Sequence, residues 1–194
     1  MSKSLHHAIY VPGLGDSDAP QTAALKFWRH YGVQVHYQHM EWSKGDFEPK
    51  LAKISHRIDD LHKRFGKVSL IGTSAGASGA FNAYAQRQDS ISNLVSICGK
   101  ITNIDTITPN SRLQENPAFT QSLDMLPASL ESIPTGQRTN MLSLHPLYDG
   151  VVPVADTYLD GARQGVILSV GHVLSIATAL TLYGPRIAHF VKNN

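Results

Sequence analysis

The chain has 194 residues, a single cysteine and a formal net charge of +2. A chain of this length is expected to fold as one domain around a substantial core. It contains no basic run and no basic–aromatic stripe, so its composition argues against a nucleic-acid partner.

Predicted strands and helices alternate along the chain. Strands are indicated by short β-branched or apolar runs, and helices by apolar residues that repeat at steps of three and four. In chain order, these elements are a strand at 7–11, a helix within 16–31, a strand at 33–37, a helix at 47–65, a strand at 67–71, a helix at 75–87, strands at 91–97, 140–144 and 166–170, and a helix at 173–191. This order predicts an α/β three-layer sandwich, with helices on both faces of a mostly parallel sheet of about six strands.

Residues 100–138 interrupt the alternation. The segment is rich in Thr, Ser and Asn, and its prolines are Pro109, Pro117, Pro127 and Pro134. It is too long for a simple connection between two elements. Within the single domain expected for residues 1–194, we interpret it either as a short lid-like insertion over a site or as a plain surface excursion.

The segment Gly72-Thr73-Ser74-Ala75-Gly76 places a serine between a predicted strand and a predicted helix. At the apex of such a sharp turn the hydroxyl projects clear of the sheet, where it is available as a nucleophile. The flanking glycines carry no Cβ, so strand and helix can approach closely. The alternative is an ordinary strand-to-helix turn with a serine cap.

A serine hydroxyl needs a base, and that base needs a group to orient it. Asp149 and His172 each follow a predicted strand. The carboxyl ends of parallel strands lie along one edge of a sheet, so both side chains can meet Ser74 there. Asp149 could instead cap the turn that it forms with Gly150. Asp105 is the more serious rival acid and Asp124 a second one.

The loop Val11-Pro12-Gly13-Leu14-Gly15 follows the first predicted strand. Together with Ala75, which follows the serine, Leu14 could supply backbone N–H donors for a developing oxyanion, and Gly13 would line the substrate site. A phosphate-binding turn is the alternative. The dinucleotide fingerprint requires a further glycine where Asp18 stands, and a carboxylate there would repel phosphate.

With these motifs assembled, the chain resembles the α/β-hydrolases over nearly its whole length. The resemblance rests on the glycine-bordered loop at 11–15, the serine turn at 72–76, the run 144–153 around Asp149, and Gly171-His172. It implies a minimal version of that fold and a serine hydrolase with Ser74, Asp149 and His172 as catalytic residues. His145 stands where many members have glycine, and we consider it, like Trp42, a candidate substrate contact.

The expected reaction is hydrolysis of a carboxylic ester, or of a thioester or amide, on a small acyl substrate. An acyltransferase or thioesterase could use the same residues, and a catalytically silent binding protein could share the scaffold. No metal or organic cofactor is required. A metal site at His36, His39 and Glu41 is disfavoured, because strand residues three apart face opposite sides.

Three features of the sequence bear on the cellular location of the protein. The first seven residues lack the apolar core of a secretory signal. The apolar stretch 166–182 is interrupted by Gly171 and His172, so it predicts a strand and a helix and no membrane span. The single cysteine, Cys98, excludes an internal disulfide and lies in an apolar run that predicts burial. Together these features favour a cytoplasmic location.

Overall fold

The structure, a computed structural model, describes residues 4–15, 19–103 and 115–193. Its strands are β1 (His6–Val11), β2 (Val33–Tyr37), β3 (Val68–Thr73), β4 (Ile91–Ile97), β5 (Met141–Tyr148) and β6 (Arg163–Val170). The α-helices in these ranges are α1 (Ala19–Phe27), α2 (Phe47–Phe65), α3 (Ala75–Gln86), α4 (Pro117–Ser132), α5 (His172–Thr181) and α6 (Gly184–Lys192).

The six strands form one sheet in the order β2-β1-β3-β4-β5-β6, and every neighbouring pair is parallel. The predicted α/β sheet with helices on both faces is therefore confirmed. The chain runs outward from β1 to β2 and then returns past β1 to β3. Because all strands are parallel, their carboxyl ends lie along one edge, and the direction of winding reverses between β1 and β3.

One face of the sheet is covered by α2, α3 and α4. Their apolar side chains form one cluster with those of β1, β3 and β4. Helix α2 buries Leu51, Ile54 and Ile58, which lie three and four residues apart and so share one face. Helix α4 belongs to the segment 100–138 and packs on α3, where Asn82 Nδ2 donates to the carbonyl of Ser122 at 2.8 Å. A lid role for that segment stays a prediction.

The opposite face is covered by α1, α5 and α6. Trp28, which follows α1, is fully buried there, and its indole N–H donates to the carbonyl of Leu180 at 2.8 Å. Gly184 makes this packing possible, since a Cβ on it would lie 2.9 Å from Trp28 Nε1. The hydrogen bond ties the end of α5 to the segment between α1 and β2.

The prediction of one continuous helix at 173–191 is wrong. The structure has two helices, α5 and α6, and Pro185 lies in the first turn of α6. A proline there leaves no backbone N–H to continue the preceding helix, whereas it is well tolerated at a helix start. In the described ranges, no helix is long and apolar enough to cross a bilayer.

His6, at the start of β1, carries a pH-dependent contribution to stability. Its Nε2 lies 2.9 Å from the Ser69 hydroxyl. The pKa of His6 is lowered to about 4. Burial is the largest cause, and the positive charges of His7 and Lys192 follow it. An unfolded histidine has a pKa of about 6.5, so the unfolded state binds more protons between these two values.

We therefore expect the free energy of unfolding to fall as the pH is lowered from about 6.5 to about 4, and to fall less steeply in His6→Gln. Urea unfolding followed by circular dichroism across this pH range measures both slopes. The same substitution at the exposed His189 controls for the removal of an imidazole. Equal slopes for the wild type and His6→Gln would contradict the assignment.

Candidate active site

Ser74 lies at the tight turn between β3 and α3, in a backbone conformation that most residues avoid. Its φ is 51°, and its amide donates to the carbonyl of Ile97 in the neighbouring strand at 2.9 Å. Such strain persists only where the surroundings fix the chain. A Cβ on Gly76 would overlap the carbonyl oxygen of Val11, and one on Gly72 would lie 2.6 Å from the Cα of Ala77. The turn therefore requires glycine at both flanking positions.

Ser74, His172 and Asp149 form a continuous chain of hydrogen bonds. His172 Nε2 lies 2.8 Å from Ser74 Oγ, and His172 Nδ1 lies 2.7 Å from Asp149 Oδ2. A carboxylate only accepts hydrogen bonds, so Nδ1 carries the proton of the neutral imidazole and Nε2 accepts from the serine hydroxyl. The structure thus brings together the three residues that the sequence predicted to meet.

The carboxylate of Asp149 is held on both of its oxygens. Oδ1 accepts the backbone N–H groups of Val151 and Val152 at 2.8 and 3.0 Å, which leaves Oδ2 for His172. The Asp149 side chain has no exposed surface, while that of His172 is 9% exposed. The acid is therefore shielded from water, and the imidazole is reachable only at its edge.

Local backbone contacts place His172. It is the first residue of α5 and follows Gly171, whose φ of 84° permits the sharp change of direction out of β6. The Gly171 amide donates to the carbonyl of Tyr148 at 2.8 Å. This bond joins the end of β6 to the residue just before Asp149, so the acid and the base share one rigid support.

The acid that contacts His172 is Asp149, and of its two rivals one lies within the described residues. Asp124 is an exposed residue of α4, and Asp105 lies outside the described residues. The turn-cap alternative for Asp149 is also partly realised, because the same side chain caps the backbone of the following turn. One carboxylate therefore serves both the turn and the histidine.

The loop after β1 packs directly on the serine. A Cβ on Gly13 would lie 2.9 Å from the Cβ of Ser74, so a larger residue there would displace the hydroxyl. Leu14 is half-buried against the core, and Ala75 begins α3 immediately after Ser74. The predicted backbone donors, Leu14 and Ala75, therefore belong to segments that adjoin the serine.

Trp42 contacts the loop after β1 from the buried interior. Its indole N–H donates to the carbonyl of Pro12 at 3.0 Å, and its ring stacks on that of Phe47 with centroids 6.0 Å apart. Only 2% of Trp42 is exposed, so it cannot be the substrate contact considered from the sequence. In the sequence, the signal for burial was a tryptophan in a polar segment before a helix. Its partner, the Pro12 carbonyl, lies on a loop distant in the chain and was not predictable.

His145, the other candidate contact, is buried in β5. The Pro146 carbonyl accepts a hydrogen bond from its Nδ1 at 3.1 Å, and its ring lies 5.1 Å from that of Tyr158. Its role in binding substrate stays a prediction. Of the two histidines in the disfavoured metal site, His36 pairs with His7, and the His36 Nε2 and His7 Nδ1 atoms lie 2.9 Å apart. Glu41 of that site pairs with Lys44.

Cys98 is the residue at this site that sequence reasoning missed. Burial was predicted, and the residue is fully buried. It directly follows β4 with a φ of 52°, and its amide donates to the carbonyl of Leu144 at 2.8 Å. Its sulfur and the donor atoms of Asp149 and His172 all lie within 4.8 Å of one another. Burial and, after it, the Asp149 carboxylate raise the pKa of the thiol to about 12.

Exposed apolar residues flank Asp149 and His172 along the chain. Six large ones lie within two residues of Asp149 or His172, and all are at least half exposed: Leu147, Tyr148, Val151, Val170, Val173 and Leu174. We call this set the apolar rim. Its members belong to the strand ends, the loop and the helix start that carry Asp149 and His172.

Searches by sequence gave no match, whether against protein-family models or against curated proteins. Solved structures do match. One of these belongs to the work on the metagenome-derived lipolytic enzymes LipS and LipT, with 13% identity, a TM-score of 0.70, and 98% of this chain and 95% of that chain covered. A pyrethroid hydrolase from Sphingobium faniae matches at 15% identity and a TM-score of 0.69, with 98% of both chains covered.

Est1E from Butyrivibrio proteoclasticus is a third match, at 12% identity and a TM-score of 0.68, with 97% of this chain and 87% of that chain covered. Likeness at such low identity is evidence about architecture. With the parallel sheet and the serine turn, it shows that the chain has the α/β-hydrolase fold, in a minimal version with six strands. The fold class predicted from the sequence is confirmed.

Proposed function

We propose that the protein is a serine hydrolase that cleaves carboxylic esters through an acyl-enzyme intermediate. The observation that carries this proposal is the hydrogen-bonded chain from Ser74 through His172 to Asp149. Nucleophile, base and orienting acid each have a partner at 2.7 or 2.8 Å, which is the reach that proton transfer requires.

In the proposed reaction, Ser74 Oγ attacks the acyl carbon of the ester while His172 Nε2 accepts the hydroxyl proton. The imidazolium that forms keeps its Nδ1–H on Asp149, whose negative charge stabilises it. His172 then donates the Nε2 proton to the leaving alcohol oxygen as the C–O bond breaks. Water then attacks the acyl carbon and gives a proton to the same nitrogen, which passes it to Ser74 Oγ as the acyl–oxygen bond breaks and the acid leaves.

The negative charge that develops on the substrate oxygen needs fixed donors. We assign this role to the backbone N–H groups of Leu14 and Ala75, because the first is in the loop that packs on Ser74 and the second begins α3. The N-terminus of α3 adds partial positive charge. The proposed steps require no metal or organic cofactor, since base, acid and oxyanion donors all come from the chain.

An ester with an apolar acyl group is the substrate class that we propose. Two observations support this choice. The apolar rim would contact such a group beside the serine, and the structures of similar fold include lipolytic enzymes, an esterase and pyrethroid hydrolases. Thioester or amide cleavage, acyl transfer and a silent binding role stay as alternatives. The cytoplasmic location stays a prediction.

The first test is chemical labelling and turnover. The native protein should react with a fluorophosphonate probe and hydrolyse p-nitrophenyl butyrate, and Ser74→Ala should do neither. We expect turnover to fall by about 10⁴-fold or more, because the nucleophile acts as a unit with its base. Circular dichroism checks that the variant is folded. A folded native protein that the probe fails to label would instead favour the silent binding role.

The second test addresses Trp42 as a positioning residue. Trp42→Phe leaves the Pro12 carbonyl without its donor, and Trp28→Phe does the same to the Leu180 carbonyl on the opposite face. Each should lower the free energy of unfolding by about 1–3 kcal/mol. Only Trp42→Phe should also lower kcat, by about ten- to a hundredfold, because it loosens the loop that carries Leu14. Equal kcat values for the two variants would exclude the positioning role.

The third test measures the substrate class. On p-nitrophenyl esters of increasing chain length, kcat/KM should rise about twofold per methylene, roughly half the free energy of fully burying a CH₂ group. Val173→Ser should flatten this rise. Leu182→Ser is the matched control, because both positions are 78% exposed but Leu182 lies nine residues further along. A flat native profile, or an equal effect of both variants, would refute the role of the apolar rim.

A further inference from the structure

We infer that Cys98, Asp149 and His172 form a site that binds a zinc ion reversibly and thereby switches off the proposed hydrolase. Among the residues that the structure describes, this is the one group of three His, Cys, Asp or Glu side chains whose donor atoms could share a metal ion. The binding follows from the donors alone. The loss of activity rests on the proposed function.

The spacing of the donors suits zinc after a small adjustment. Zinc bonds of about 2.3 Å to sulfur and about 2.0–2.2 Å to nitrogen or oxygen put tetrahedral ligands about 3.2–3.7 Å apart. The three donor atoms lie within 4.8 Å of one another, and two of them, on His172 and Asp149, are 2.7 Å apart. A side-chain adjustment of about 1 Å closes the remaining difference.

The nature of the donors selects the class of metal. A thiolate and an imidazole are ligands of zinc and of its softer relative cadmium, whereas magnesium and calcium take oxygen ligands. The Asp149 carboxylate is already oriented, because two backbone amides hold Oδ1 and direct Oδ2 toward the site. Such outer contacts on a ligating carboxylate strengthen metal binding.

Charge balance favours the bound state. Cysteine binds zinc as the thiolate, so Cys98 loses its proton when the metal binds. A zinc ion displaces the thiol proton, and its two positive charges then match one thiolate and one carboxylate. The buried site, which carries one net negative charge without metal, becomes neutral.

Coordination would remove the base by changing its tautomer. Zinc takes the lone pair on Nδ1 of His172, so the proton of the neutral imidazole resides on Nε2. Nε2 then donates a hydrogen bond toward Ser74 Oγ and has no lone pair to accept the serine proton. One proton leaves from Cys98, one moves within His172, and the serine loses its activation without any change in the fold.

The binding test uses a protein that has no nucleophile. In Ser74→Ala, adding cadmium chloride should produce the ultraviolet absorption band of a cadmium–thiolate bond, with one metal bound per chain. Cys98 is the only cysteine, so Ser74→Ala combined with Cys98→Ala should show no band. A missing band in folded Ser74→Ala overturns the site, whether or not the native protein hydrolyses esters.

The inhibition test compares rates with and without zinc within each variant. Zinc should abolish hydrolysis of p-nitrophenyl butyrate by the native protein, and EDTA should restore it. Loss of a ligand should cost at least as much affinity as loss of an outer contact, so Cys98→Ala should raise the half-inhibiting zinc concentration by about tenfold or more. His36→Ala, which removes the surface pair with His7, should be inhibited like the native protein.

The outcomes separate the two proposals. Equal inhibition of the native protein and Cys98→Ala overturns the assignment and places the metal elsewhere. Loss of inhibition in His36→Ala does the same and indicates the surface pair. A cadmium–thiolate band in a protein with no hydrolase activity keeps the metal site and refutes the proposed function.

Discussion

The geometry of the site depends on one close approach between backbones. The start of α3 lies against the end of β1 so tightly that position 76 has no room for a Cβ beside the Val11 carbonyl. This contact fixes the turn at Ser74 and brings the loop containing Gly13 onto the serine. Ser74, the amide of Ala75 and the loop carrying Leu14 are therefore held as one unit, and glycine at position 76 is the condition for all three.

Asp149 and His172 follow the ends of two neighbouring strands, β5 and β6. The Gly171 amide joins them by its bond to the Tyr148 carbonyl, and the turn after Asp149 holds the carboxylate. Among the described residues, His172 connects these two supports to the serine by its hydrogen bond with Ser74 Oγ. Substitutions that shift either support should thus affect the hydrogen bond between His172 and Ser74 first. The thiol of Cys98 lies in the same gap, which is why one histidine can serve both the proposed catalysis and the proposed metal site.

The parts of this arrangement that sequence predicts are those with a local signal. Ser74 was identified by the flanking glycines, and Asp149 and His172 by their positions after strands. The bounds of helix α4 were not predicted within the insertion, because it contains Pro127 and lies in a polar segment, so its formation depends on packing against α3. The partner of Trp42 and the neighbours of Cys98 were equally inaccessible, since both contacts join segments distant in the chain and leave no pattern in either one.

Strand β6 bears on the proposed substrate, because its last residue, Val170, belongs to the apolar rim. It is an edge strand, and Val166, Leu168 and Val170 on it are exposed, which would ordinarily invite another strand. The hydroxyl of Tyr183, however, accepts the Leu168 N–H at 3.0 Å and so occupies one of the donors that a pairing strand would need. The side chains at its carboxyl end remain open beside His172. Under the proposed function, an edge with one backbone donor already occupied and with exposed apolar side chains suits an apolar acyl group better than a further strand.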